Sequence, residues 1–202
     1  MGHLFSMEWK QTNHLPPKNF NSDFMSLYTA TLLPGIILVV LGVLLLWEKS
    51  NFETLAKASL RSLAFTFITM GFGSGWFIFE VSQLGVADFG QYRNYLFILF
   101  LGITLLSFVF VKDFLSVRGA VILGLMFAKV LLEAAYMQDP PSRLFMVSFV
   151  YLCIIFALYL GVVPYKMRDF LNWLFARRRR VNSFGFFFAL YGLLLCGVAF
   201  SY

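Results

Sequence analysis

The stretch from Gly119 to Gln138, GAVILGLMFAKVLLEAAYMQ, constrains the fold of this chain more than any other. As a helix it would be roughly 30 Å long, the thickness of a bilayer's hydrocarbon core. Yet Lys129 stands near its middle and Glu133 follows one turn later. A charge at the centre of a membrane helix costs about 2.5–3.5 kcal/mol, so the two together cost about 5–7 kcal/mol. The eight Leu, Ile, Val and Phe residues of the stretch return about 0.3–0.6 kcal/mol each, roughly 2.5–5 kcal/mol in total. Such a helix is marginal by itself. Neighbouring helices, charge pairing or snorkelling must supply the difference.

The rest of the chain can supply those neighbours. Of its 202 residues 60% are hydrophobic and only 13% charged, against about 25% charged in a soluble domain. Phe alone accounts for 26 residues. A soluble core of this size cannot hide that much apolar surface, so lipid must cover it. The apolar runs are long and continuous, without the period-2 alternation of a transmembrane barrel. The fold class expected is all-α: a polytopic integral membrane protein, built as a six-helix transmembrane bundle.

Taken in order, residues 1–21 read as a polar tail and 22–202 as the transmembrane domain. The first span covers about 22–47, with Asn21 or Ser22 as cap, a kink at Pro34-Gly35 and Trp47 as interfacial anchor. Ser50 and Glu53 fit a capping box, so a helix is expected to start near Asn51 and run on into the second span, 62–82. The third span is 95–111 and the fourth 119–138. Asp139 reads as a cap with Pro140 in the first turn of the fifth span, 144–163. In the loop after Pro164, Met167, Phe170, Leu171 and Leu174 recur at i, i+3, i+4, i+7. That pattern marks a short amphipathic helix lying at the interface between spans five and six. Asn182 or Ser183 would cap the sixth span, 184–202. No cleavable signal peptide is expected, because the first apolar run begins too late and is too long.

Basic residues set the orientation. The loops between spans 1–2, 3–4 and 5–6 hold Lys49, Lys57, Arg61, Lys112, Arg118, Lys166, Arg168 and Arg177–Arg180; the other side holds Lys10, Lys18, Arg93 and Arg143. The positive-inside rule then puts the basic loops in the cytoplasm and both termini outside, in a cell (inner) membrane. The net charge of +6 is explained by topology and anionic lipid, and nucleic acid is not an expected partner.

With that topology the second and fourth spans run in the same direction. Ser62, Thr66, Thr69, Gly73, Trp76, Glu80 and Gln83 form a small-or-polar stripe at helical spacing on the second span. Lys129, Glu133 and Tyr136 share a face of the fourth. Facing the stripes brings Glu80 towards Lys129 and Glu133, an intramembrane polar site of Glu80, Lys129, Glu133 and Tyr136. Two readings of it stand side by side. In one, Lys129 and Glu133 neutralise each other and fix helix packing while Glu80 snorkels outward. In the other, the charges carry a proton, an ion or a polar ligand. With all three ionised the seam holds a net −1, so one carboxyl is expected to stay protonated or to face water.

Gly71-x-x-x-Gly75 reads as a close-packing signal. Arg177, Arg178, Arg179 and Arg180 are a topology determinant and a candidate contact for anionic lipid headgroups. Cys153 and Cys196 fall in apolar segments and read as buried, inert thiols. Catalytic residues, metal ligands and cofactors are not expected. No His lies in a span, which excludes bis-His haem ligation within the chain, and HExxH, GxSxG and Cys-x-x-Cys are absent. The leading expectation for function is a non-enzymatic structural or assembly subunit of a membrane complex, with lipid and other membrane subunits, or copies of itself, as partners. The alternative is a small ion- or proton-coupled carrier using the Glu80/Lys129/Glu133 seam. A lipid-modifying enzyme at the basic loop ranks third, for want of a nucleophile or metal cluster.

Overall fold

The computed structural model describes residues 25–47, 49–60, 62–84, 90–110 and 114–202. The tail, the caps expected at Asn21 and Ser22, and Arg61, Asp88 and Lys112 lie outside these, as does the side chain of Ser50. The described chain is helical, without strands: α1 Leu27–Trp47, α2 Lys49–Ser59, α3 Leu63–Ser82, α4 Arg93–Phe110, α5 Leu115–Ala135, α6 Arg143–Val162, α7 Tyr165–Phe175 and α8 Arg178–Ala199. A 3-10 turn, Gly90–Tyr92, leads into α4. Among the described residues α1, α3, α4 (with that turn), α5, α6 and α8 are long and apolar enough to cross a membrane. The six expected spans match them in order, and α7 is the expected short amphipathic helix.

The closest-packed pair is α1 with α8, antiparallel. A Cβ on Gly42 would stand 2.6 Å from the Ala189 nitrogen, and one on Gly192 2.7 Å from the Gly35 oxygen. Lipid tails are as apolar as Leu, so membrane helices gain little by hiding side chains from lipid. Close backbone approach over small residues provides the attraction instead. Glycines seven residues apart on each helix keep one face flat for two turns. α1 runs through Pro34 as a single helix.

A second close pair is α3 with α5, where Gly73 meets Gly119. The Gly71-x-x-x-Gly75 motif does not pack as its spacing suggests. A Cβ on Gly71 or Gly75 would meet nothing within 4 Å. Gly73, between them, lies on the opposite face of the helix and makes the contact. Buried Ser116 and Thr69 tie the same end together: Ser116 Oγ donates to the Leu60 carbonyl at 3.0 Å, and Thr69 Oγ1 reaches the Ser116 carbonyl at 3.3 Å. α6 packs on α5, and Ala30, Leu38, Ala128, Leu131, Met146, Val150 and Leu195 join α1, α5, α6 and α8 in one core. α4 packs chiefly on α3, through stacked Phe67–Phe108 and edge-on Phe77–Phe100.

Helix ends differ from expectation in several places. α1 begins at Leu27 and not near residue 22: Met25 and Ser26 stand outside the helix, and the Ser26 Oγ accepts from the Thr29 N–H at 3.3 Å. α2 begins at Lys49, so Ser50 lies inside the helix and is not its N-cap. α2 does not continue into α3: Ser62 takes an extended conformation and its Oγ accepts from the Phe65 N–H at 3.3 Å, the geometry of an N-cap. α2 instead packs Phe52 and Ala56, with Leu60 just after it, on the cluster of Leu45, Leu171, Leu174, Phe175 and Val181, so α2 and α7 lie together at one end of the bundle. α5 begins at Leu115 and stops at Ala135, before an extended Tyr136 and a Met137 with φ of 53°. The cap of α6 is Ser142, not Asp139. α8 begins at Arg178, six residues earlier than expected, because Asn182 and Ser183 are helical; the Ser183 hydroxyl donates to the Arg179 carbonyl a turn back instead of capping.

Candidate functional site

Parallel packing of α3 on α5 sets Thr69 beside Ser116, Gly73 beside Gly119 and Glu80 beside Lys129. The small residues at one end let the backbones meet, and the long side chains bridge the helices at the other. Lys129 Nζ donates to Glu80 Oε2 at 2.5 Å, while Glu133 Oε1 stands 3.6 Å away. The second distance is beyond hydrogen-bond range but still an ion-pair distance. Of the two expected arrangements, the partner of Lys129 is therefore Glu80 on the neighbouring helix. The i, i+4 residue Glu133 is the outer, looser member.

The three charges lie towards one end of the helix pair. Glu80 is two residues from the end of α3 and Glu133 two from the end of α5, about 3 Å in each case. Lys129 is six residues from that end, about 9 Å, and its flexible stem carries the ammonium to Glu80. Thus the charge of Lys129 lies closer to the helix ends than its backbone does. The side chains of Lys129 and Glu80 are 40% and 34% exposed, and that of Glu133 58%. One of three ammonium donors is committed to Glu80, and Glu133 keeps its acceptor sites open. Such an arrangement can exchange a proton or bind a small cation at the Glu133 edge, or simply hold two helices in register.

Tyr136 does not join the site. Its backbone leaves the helix as the C-cap of α5, the face it would share ends at Ala135, and its ring is 68% exposed. The four arginines separate as well. Arg177, Arg178 and Arg179 are exposed. Arg180 stacks over the Trp173 ring at 4.4 Å and donates to the Trp173 carbonyl at 2.9 Å, satisfying one of the carbonyls left open at the end of α7. Arg143 does the same for α5, donating to the Ala135 carbonyl at 2.9 Å.

Both thiols are free; Cys153 is exposed on α6 rather than buried, and Cys196 is half-buried on the α8 face towards Gly35. Among the described residues no group of three His, Cys, Asp or Glu side chains gathers where a metal ion would fit. The glycine faces of α1 and α8 are not evident from either helix alone. Their signal is Gly35-x6-Gly42 and Gly185-x6-Gly192, two small-residue heptads far apart in the chain.

No protein-family model, curated protein or solved structure matches this chain.

Proposed function

We propose that the chain is a non-enzymatic subunit of a membrane complex, in a cell (inner) membrane, with the α2 and α7 end in the cytoplasm and both termini outside. The observation that carries this reading is α4. Among the described residues every other span-length helix buries part of its surface inside the chain, whereas α4 buries no residue. Its outer face forms a shallow apolar groove along Ile98, Leu99, Gly102, Ile103, Leu106 and Phe110, with open space over Gly102. Two aromatic contacts on one side fix such a helix weakly, since packing provides what lipid exclusion does not. A helix of another subunit seated at Gly102 would complete it.

Photocrosslinkers placed at Leu99 and Leu106 in membranes, followed by mild-detergent extraction, test the reading. Protein adducts of defined mass and a particle larger than the monomer are expected. Adducts to lipid alone, together with a lone monomer, would overturn it.

A second reading, a small ion- or proton-coupled carrier, is favoured by the loose outer carboxylate at the Glu80–Lys129 pair. In that case Glu133→Gln abolishes proton-coupled flux in reconstituted vesicles while the protein level is unchanged. Undiminished flux in the variant would remove this reading.

A further inference from the structure

A groove of about 1050 Å³ opens at the end of the bundle where α2 and α7 lie. It collects residues from five elements: α2, the start of α3, the end of α4, the start of α5, and α7. Its lining is of two kinds. Lys57, Arg168 and Asn172 bring donors, and Leu63, Phe67, Phe108 and Leu115 bring an apolar wall that belongs to the span-length helices themselves. None of the three charges at the Glu80 seam lines it.

The donors have capacity to spare. Lys57 is steadied by Glu53 at 2.8 Å, a single contact that leaves two of its three ammonium hydrogens. Arg168 lies 3.7 Å from Asp169, too far for a hydrogen bond, and its guanidinium sits 5.9 Å over the Phe114 ring. No hydrogen bond from the Arg168 or Asn172 side chain occurs among the described residues. Among the described residues Glu53 and Asp169 are the acidic groups within ion-pair distance of these cations, and neither lines the groove. A fork-shaped guanidinium, a point-charge ammonium and a neutral amide around one opening suit a phosphate. The apolar wall beside them has no role for a free anion and suits an acyl chain.

We propose that this groove holds one anionic phospholipid from the leaflet at the basic end, its phosphate on Lys57, Arg168 and Asn172 and an acyl chain along Phe67 and Phe108. The site is distinct from the Arg177–Arg180 turn, and it does not depend on whether the chain joins a complex. It gives α2 and α7 a joint role, because the cluster around Leu171 and Phe175 that packs them together also sets the two cations on one opening.

The test uses the full chain purified in mild detergent, with phosphatidylglycerol, phosphatidylcholine and inorganic phosphate as probes and native mass spectrometry as readout. One tightly retained phosphatidylglycerol is expected, with phosphatidylcholine held more weakly and phosphate unable to displace the lipid. Lys57→Gln/Arg168→Gln should weaken retention about 25-fold, from the contribution of two surface cations. Equal retention by the wild type and this variant would overturn the proposal. So would displacement by phosphate alone, which would mark a free-anion site, or a loss confined to Arg178→Gln/Arg179→Gln. Should the double variant fail to fold, a photoreactive residue at Leu63 in mixed vesicles serves instead. Adducts enriched in phosphatidylglycerol support the site, and adducts in the proportions of the bilayer refute it.

Discussion

Lys129 bonds across to Glu80 more closely than to Glu133, its neighbour on the same helix, and that choice has measurable consequences. A double-mutant cycle on Glu80→Gln and Lys129→Met, read by unfolding in mixed micelles, should give a coupling of about 1–2 kcal/mol, between the values for exposed pairs and those for buried ones. The same cycle with Glu133→Gln should give less than about 0.5 kcal/mol, the range of i, i+4 pairs. Equal couplings would mean that the ammonium moves between the two carboxylates. Another residue-scale outcome concerns Met137, which holds a φ of 53° on an exposed turn. A left-handed conformation costs an L-residue roughly 1–2 kcal/mol, so Met137→Gly should stabilise by about 0.5–1 kcal/mol after the larger unfolded-state entropy of glycine is subtracted. Thermal melts of the two proteins side by side check it.

At the scale of elements, the glycines divide sharply. Gly71→Ala and Gly75→Ala point into open space and should be neutral or stabilise by up to about 1 kcal/mol through helix propensity. Gly42→Ala and Gly192→Ala would drive a methyl into backbone at 2.6–2.7 Å and should destabilise by about 1–3 kcal/mol, as overpacking does. Thermal melts of the four variants in one detergent check both halves. A GxxxG on one helix is a local pattern, and nothing local says which face it serves. The working pairs, Gly73 with Gly119 and Gly42 with Gly185, become meaningful only once the helices are paired. Helix ends are hard to place in sequence where two signals compete. Ser183 resembles a cap because an apolar run follows it, but in a helix a serine hydroxyl can equally bond back to the preceding turn. Ser62 has the chemistry of a cap, yet the capping box at Ser50 points to an uninterrupted helix through it.

On the scale of the whole molecule, the described cations apart from Lys129 lie mostly at the α2 and α7 end, with Arg93 and Arg143 at the other. Under the proposed orientation, a cysteine at Ser142 should react with an impermeant thiol reagent in intact cells, and one at Arg178 only after permeabilisation; the reverse pattern would invert the topology. That six helices are long and apolar enough to cross a membrane was legible in the sequence, because a continuous apolar run of about 20 residues carries its own length requirement. The same holds for the amphipathic α7, whose period is written into Met167, Phe170, Leu171 and Leu174, and for the presence of charge on α5. Sequence also supplied the stripe carrying Glu80. Only the tertiary structure decided what those features face: Glu80 rather than Glu133 as the close partner of Lys129, Tyr136 outside the site, α4 bare on its outer face, and Lys57 and Arg168 brought to one groove from distant parts of the chain. The physical reason is that length, hydropathy and periodicity act within a segment. A partner is chosen by packing between segments, where one glycine face or one reachable carboxylate settles which helices meet.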